Sequence, residues 1–102
     1  MKLWIDDVRP APSDNYIHTF SVHMAKVLIQ HIGEGKFGDE VIELIDIDHD
    51  AGDFKSFGGD YIKLLDWLEE TGRNYPIHIH SMNPVGVQNM RAIIKRNGWE
   101  EV

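Results

Sequence analysis

The chain has 102 residues, of which 42% are hydrophobic and three are tryptophan, enough for one domain around one core and no more. A formal charge of −7 excludes broad binding to duplex nucleic acid, which rests on neutralising phosphates, yet it leaves room for a phosphate-handling enzyme that borrows a cation. The absence of cysteine removes thiolate catalysis, disulfides and cysteine metal sites.

Leu3-Trp4-Ile5 is a short apolar run closed by Asp6-Asp7, the pattern of a buried parallel strand reaching its carboxyl end. Charge this close to Met1 leaves no signal-peptide region, and no run approaches membrane-spanning length, so a cytoplasmic protein without a membrane partner is expected. Pro10 and Pro12 make Val8 to Asn15 a loop. Tyr16 to Phe20 is β-prone and reads as a second strand. Ser21 can cap a helix over Val22 to Ile32, with Val22, Ala25, Leu28, Ile29 and Ile32 on one face and Gly33 at its end.

Val41 to Asp48, rich in branched residues, predicts the third strand, followed by a Gly-rich polar loop from His49 to about Gly58. A helix over Asp60 to Thr71 places Tyr61, Leu64, Leu65 and Leu68 inward. Pro76 to His80 is a fourth strand, and Asn83-Pro84 opens a last helix with Asn as cap and Pro in the first turn. Val87, Met90, Ile93 and Ile94 form its buried stripe, and the methionines and tryptophans in general read as core. Strands alternating with helices predict a mostly parallel sheet covered on both faces, and right-handed crossovers favour the strand order 2-1-3-4. The edge beyond the fourth strand is open in this reading, which leaves room for a homodimer.

In such a sheet, ligands bind beyond the carboxyl ends of the strands where the order reverses. Topology brings three polar clusters there: Asp6-Asp7, Asp48-His49-Asp50, and His80-Ser81-Met82-Asn83. Carboxylates so placed suit a hard divalent cation, Mg²⁺ or Mn²⁺, while the histidines suit a transition metal such as Zn²⁺ or acid–base work near neutral pH. Ser81 and the N–H groups after Asn83 can receive phosphate. Each residue also has a plainer reading. Asp6-Asp7 fits a solvated strand end, Asn83 a helix cap, Asp46 a hydrogen-bonded structural acid and His78 a satisfied core histidine. His80, at its strand end, fits either role. His18, His23 and His31 fit surface or packing roles, and Arg91, Lys95 and Arg96 a solvated helix face.

This set resembles a response-regulator receiver domain, with an acidic pair after the first strand, Asp48 after the third and the hydroxyl of Ser81 after the fourth. Three receiver features are missing: a first helix, a fifth strand and the lysine that follows it. A closer resemblance is to the cyclic-phosphate-processing receiver-like family. It is carried by Trp4-Ile5-Asp6-Asp7-Val8-Arg9-Pro10-Ala11-Pro12, Asp48-His49-Asp50-Ala51-Gly52 and His80-Ser81-Met82-Asn83-Pro84 with Gly86 and Asn89-Met90. The resemblance implies a small receiver-like, flavodoxin-like three-layer α/β sandwich that processes cyclic phosphates, such as 2′,3′-cyclic ends of RNA or a phosphorylated small molecule.

A metal-dependent phosphoesterase would then use Asp6, Asp7, Asp48 and Asp50 for the cation, with Asp48 also in the chemistry. His49 or His80 would be the acid, and Arg9, Ser81 and Asn83 would hold phosphate. The alternatives are a phosphoacceptor module using Asp48 or Asp50 without turnover, and a partner-binding domain in which an ion serves stability alone.

Overall fold

Alternation along a strand decides which of its faces is apolar. Leu3, Ile5, Ile45, Ile47 and Ile77 all fall on one face of the sheet and all are fully buried. The computed structural model describes Met1–Val102. Its strands are β1 (Lys2–Ile5), β2 (Tyr16–Thr19), β3 (Leu44–Ile47) and β4 (Ile77–Ile79), and its helices α1 (Val22–Gly33), α2 (Ile62–Glu70) and α3 (Pro84–Asn97). The sheet is parallel throughout in the order β2-β1-β3-β4, the order the sequence predicts.

The layering differs from expectation. The steps from β2 to β3 and from β3 to β4 run the same way along the sheet, so right-handed crossovers put α1 and α2 on the same side. After β4, α3 packs beside α2. One apolar cluster therefore joins Leu3, Ile5, Ile45, Ile47 and Ile77 to Val22, Ala25, Ile29, Leu64, Leu65, Leu68, Met90 and Ile94. The molecule has two layers where the sequence predicts three, because the missing first helix is one that would have covered the other face. That face carries Lys2, Trp4, Tyr16, His18, Asp46 and His78. The loop after β1 folds back towards it, and Trp4 Nε1–H donates to the Arg9 carbonyl at 2.7 Å.

The absent layer explains two other departures, those of His78 and Trp4. His78, expected in the core, is exposed, and its Nδ1–H donates to the Val102 carbonyl at 2.8 Å. Trp4 is buried outside the main apolar cluster. Met24 and Met82 are exposed rather than core. The third strand begins at Leu44 and not Val41, because β1, its partner, starts only at Lys2, which pairs with Leu44. The edge beyond β4 is not bare: Ile77 N–H donates to Glu100 at 3.0 Å and Val102 N–H to Ile77 at 2.8 Å, a one-residue bridge where a fifth strand would run. No helix is long and apolar enough to cross a membrane.

Candidate functional site

Ladder hydrogen bonds carry the backbone one residue past each strand and so fix the site residues at one sheet edge. Asp6 N–H donates to Thr19 at 3.4 Å, Asp48 N–H to Ile5 at 2.9 Å and His80 N–H to Ile47 at 3.0 Å. The three polar clusters predicted to converge do meet there.

His80 is the most constrained of them. Its Nδ1 lies 2.6 Å from Asp46 Oδ1 and its Nε2 2.9 Å from Asp6 Oδ2, so each nitrogen faces a carboxylate oxygen, an arrangement that favours the doubly protonated ring. Its ring stacks on Trp4 with centroids 3.9 Å apart and planes 2° from parallel. Burial would lower the His80 pKa, but the bonds to Asp46 and Asp6 prevail and raise it. Burial would likewise raise Asp6, yet the Arg9 N–H at 2.7 Å, His80 and the Val8 N–H at 3.0 Å hold it below the usual carboxylate range. His18 Nε2–H donates to the Asp6 carbonyl at 2.8 Å, fastening β2 to this corner.

Asp7 and Asp48 lie beside this group. Burial pushes the Asp7 carboxyl up, against its own backbone N–H, and the charges of Asp6 and Asp48 push it further. Gly52 sits against it, since an added Cβ would overlap Asp7 Oδ2, and its φ of +54° is a second reason for glycine. Ligand atoms of Asp6, Asp48 and His80 lie within 4.8 Å of one another, as do those of His49, Asp50 and Asp60. Neighbouring carboxylates, with the buried His80 held between Asp46 and Asp6, form a donor set that fits a hard divalent ion.

A second constellation meets the start of α3. His49 Nδ1–H donates to Asp50 Oδ1 at 2.9 Å, which holds the Asp50 pKa down. Asn83 Nδ2 also donates to Asp50, at 3.3 Å, while Asn83 Oδ1 caps the helix by accepting from Gly86 N–H at 2.9 Å. The His49 ring packs on Gly86 so closely that a Cβ there would lie 2.5 Å from its Cγ. Its Nε2 has no hydrogen-bond partner, and its side chain keeps 14% exposure. Ser81 Oγ accepts from Asn83 N–H at 3.1 Å, and Arg9 Nη1 reaches over the rim to the His80 carbonyl at 3.4 Å.

The expected residues thus divide into a buried group, Asp6 and His80, an acidic pair, Asp7 and Asp48, and a half-open group, His49, Asp50, Ser81 and Asn83, with Arg9 at the rim. Sequence reasoning did not place Trp4 at the site and read Asp46 only as a structural acid; with Asp6, these residues hold His80. The signal was present: Trp4 lies between Leu3 and Ile5 and so faces away from the core, where its neighbour in register is Asp46.

No curated protein and no solved structure matches the chain. A family model does, that of the cyclic-phosphate processing receiver domain, and it matches residues 1–96, which takes in all three clusters. The chain belongs to that family.

Proposed function

We propose that the protein is a metal-dependent phosphoesterase that opens cyclic phosphates, such as the 2′,3′-cyclic end of an RNA or nucleotide. The observation that carries this reading is the His49–Asp50 pair, with Nε2 free, held against Asn83 and Gly86 at the start of α3 and joined to Asp48 by the His49 N–H.

Asp7 and Asp48 would hold the cation, while Asp6 and Asp50 already accept bonds from His80 and from His49 and Asn83. A divalent ion held there supplies positive charge to the phosphoryl oxygens and lowers the pKa of a water. Asp50 fixes the Nδ1–H of His49, which leaves Nε2 to give its proton to the departing ribose oxygen. One water is consumed: its oxygen joins phosphorus, the P–O bond to the ribose breaks, and the ribose oxygen takes the proton from His49. His49 regains one proton from the water, and the other stays on the new phosphomonoester. Asn83, Ser81 and the forked guanidinium of Arg9 orient the phosphate. His80, walled in by Trp4, Asp46 and Asp6, positions the Asp6–Asp7 turn and does not meet substrate.

Hydrolysis of adenosine 2′,3′-cyclic phosphate by the purified protein with Mg²⁺ or Mn²⁺ tests this. His49→Ala and Asp48→Asn should each lower kcat by about a hundredfold or more. Unchanged rates in both variants would overturn the reading.

A further inference from the structure

Three phenylalanines lie outside the core on the same edge as the acidic cluster. Phe20 is 36% and Phe57 52% exposed, and Phe54 between them is half-buried. Their ring centroids are spaced 5.6 Å and 6.3 Å apart, and His18 extends the row by stacking on Phe20 at 4.0 Å. One exposed apolar side chain needs no explanation, but a contiguous row marks a surface used for binding.

The row is tied to the site at its Phe20 end and at Phe54. Phe20 directly follows Thr19, whose carbonyl takes the Asp6 N–H, and His18 bonds the Asp6 carbonyl. Phe54 closes the 3-10 turn Gly52–Phe54, and Gly52 is the residue against the Asp7 carboxylate. The backbone beneath is held as well: Tyr61 O–H donates to the Phe20 carbonyl at 2.7 Å and His23 N–H to the Phe57 carbonyl at 3.1 Å. The surface is therefore built before a ligand arrives. It begins beside the Gly52–Asp7 contact.

We infer that Phe20, Phe54 and Phe57, whose rings are tilted by 34° and 45° to one another, form a shelf that takes the base of a nucleoside cyclic phosphate against an aromatic face, which makes the substrate a nucleotide or RNA end rather than a base-free cyclic phosphate. The inference rests on the proposed reaction for its phosphate end and on the aromatic row for its base. Ring stacking recognises any base through its π-face, so the shelf selects for the presence of a base and not for its identity.

The test compares binding and turnover of two probes, adenosine 2′,3′-cyclic phosphate and 1-O-methylribose 2′,3′-cyclic phosphate, which lacks the base. Wild-type protein should bind the adenosine probe about tenfold more tightly. Phe57→Ala, at a half-exposed position that folding tolerates, and the milder Phe54→Leu should erase most of that difference. Both should leave the base-free probe unaffected, with thermal melting confirming the fold. Equal affinity for the two probes, binding of neither, or variants that weaken both alike would overturn the shelf. Hydrolysis of both probes with equal kcat/KM would overturn it while leaving the proposed reaction standing. Base-dependent binding without hydrolysis would support the shelf and overturn the reaction.

Discussion

His80 sits between two carboxylates and against an indole, and its side chain is only 9% exposed. A buried ion pair adds little over a well-packed apolar core, but removing one partner leaves the others charged in a poor dielectric. For His80→Gln the expected cost is about 3–5 kcal/mol, a large part of what a domain this size has. The pH dependence has a definite sign. The folded pKa of His80 lies above its ordinary 6.5, so its contribution is complete below 6.5 and is lost as pH rises through the folded value. Asp6 is displaced downward, so its share is present above 3.8 and is lost as pH falls through its own folded value. Metal-free protein should therefore resist urea best between these limits, with the midpoint falling on the alkaline side. In His80→Gln that alkaline slope should disappear; a wild-type midpoint that is flat upward from pH 6 would refute the assignment. Little of this was legible in sequence. Asp46 and His80 come from different strands, and only the register Asp46–His78, with His80 two residues beyond on the same face, brings them together.

At the scale of elements, the start of α3 joins a readable feature to an unreadable one. Asn83 and Pro84 announce a helix on local grounds, and the structure has Asn83 accepting from Gly86 N–H. Gly86 itself looks like a weak spot in a helix, where alanine would normally be better by about 1 kcal/mol. Its reason is the His49 ring, which arrives from the end of β3 and fills the space a Cβ would take. Gly86→Ala should therefore separate stability from function. Thermal melting should change by only a few degrees, since the gain in helix propensity offsets the strain. With His49 as the proposed acid, hydrolysis should fall by about a hundredfold, as a ring displaced by roughly 1 Å loses its alignment. If the variant keeps full activity, His49 does not act from the position seen here. The Gly52–Asp7 contact has the same character, as glycine there serves a side chain remote in sequence. Local pattern gives the cap and the apolar stripes, such as Leu64, Leu65 and Leu68 on α2, but never the close approach.

For the whole molecule, strand order was legible because parallel strands and right-handed crossovers leave few choices. The number of layers was open to the same logic, since two crossovers stepping in one direction must share a face. The consequence is a sheet with one apolar side and one side of Trp4, Asp46 and histidines. Its carboxyl edge concentrates negative charge in a molecule already at −7. Asp6, Asp7 and Asp48 meet there, and the one buried cation is taken up by Asp46 and Asp6. The metal-free protein therefore holds Asp7 near the charge of Asp48, and a divalent ion that bound only the folded form would relieve that repulsion. At a Mg²⁺ concentration a hundred times its Kd the gain is about 2.7 kcal/mol. For a chain of this length that corresponds to a rise in Tm of roughly 10 °C or more. Sodium chloride at equal ionic strength should give far less, because general screening is not coordination. Asp48→Asn should lose most of the Mg²⁺ effect, and its metal-free Tm should equal or exceed the wild-type value because one of the opposed charges is gone. A Mg²⁺ shift that persists in Asp48→Asn, or that sodium chloride reproduces, would show that the acidic edge attracts ions without forming a site.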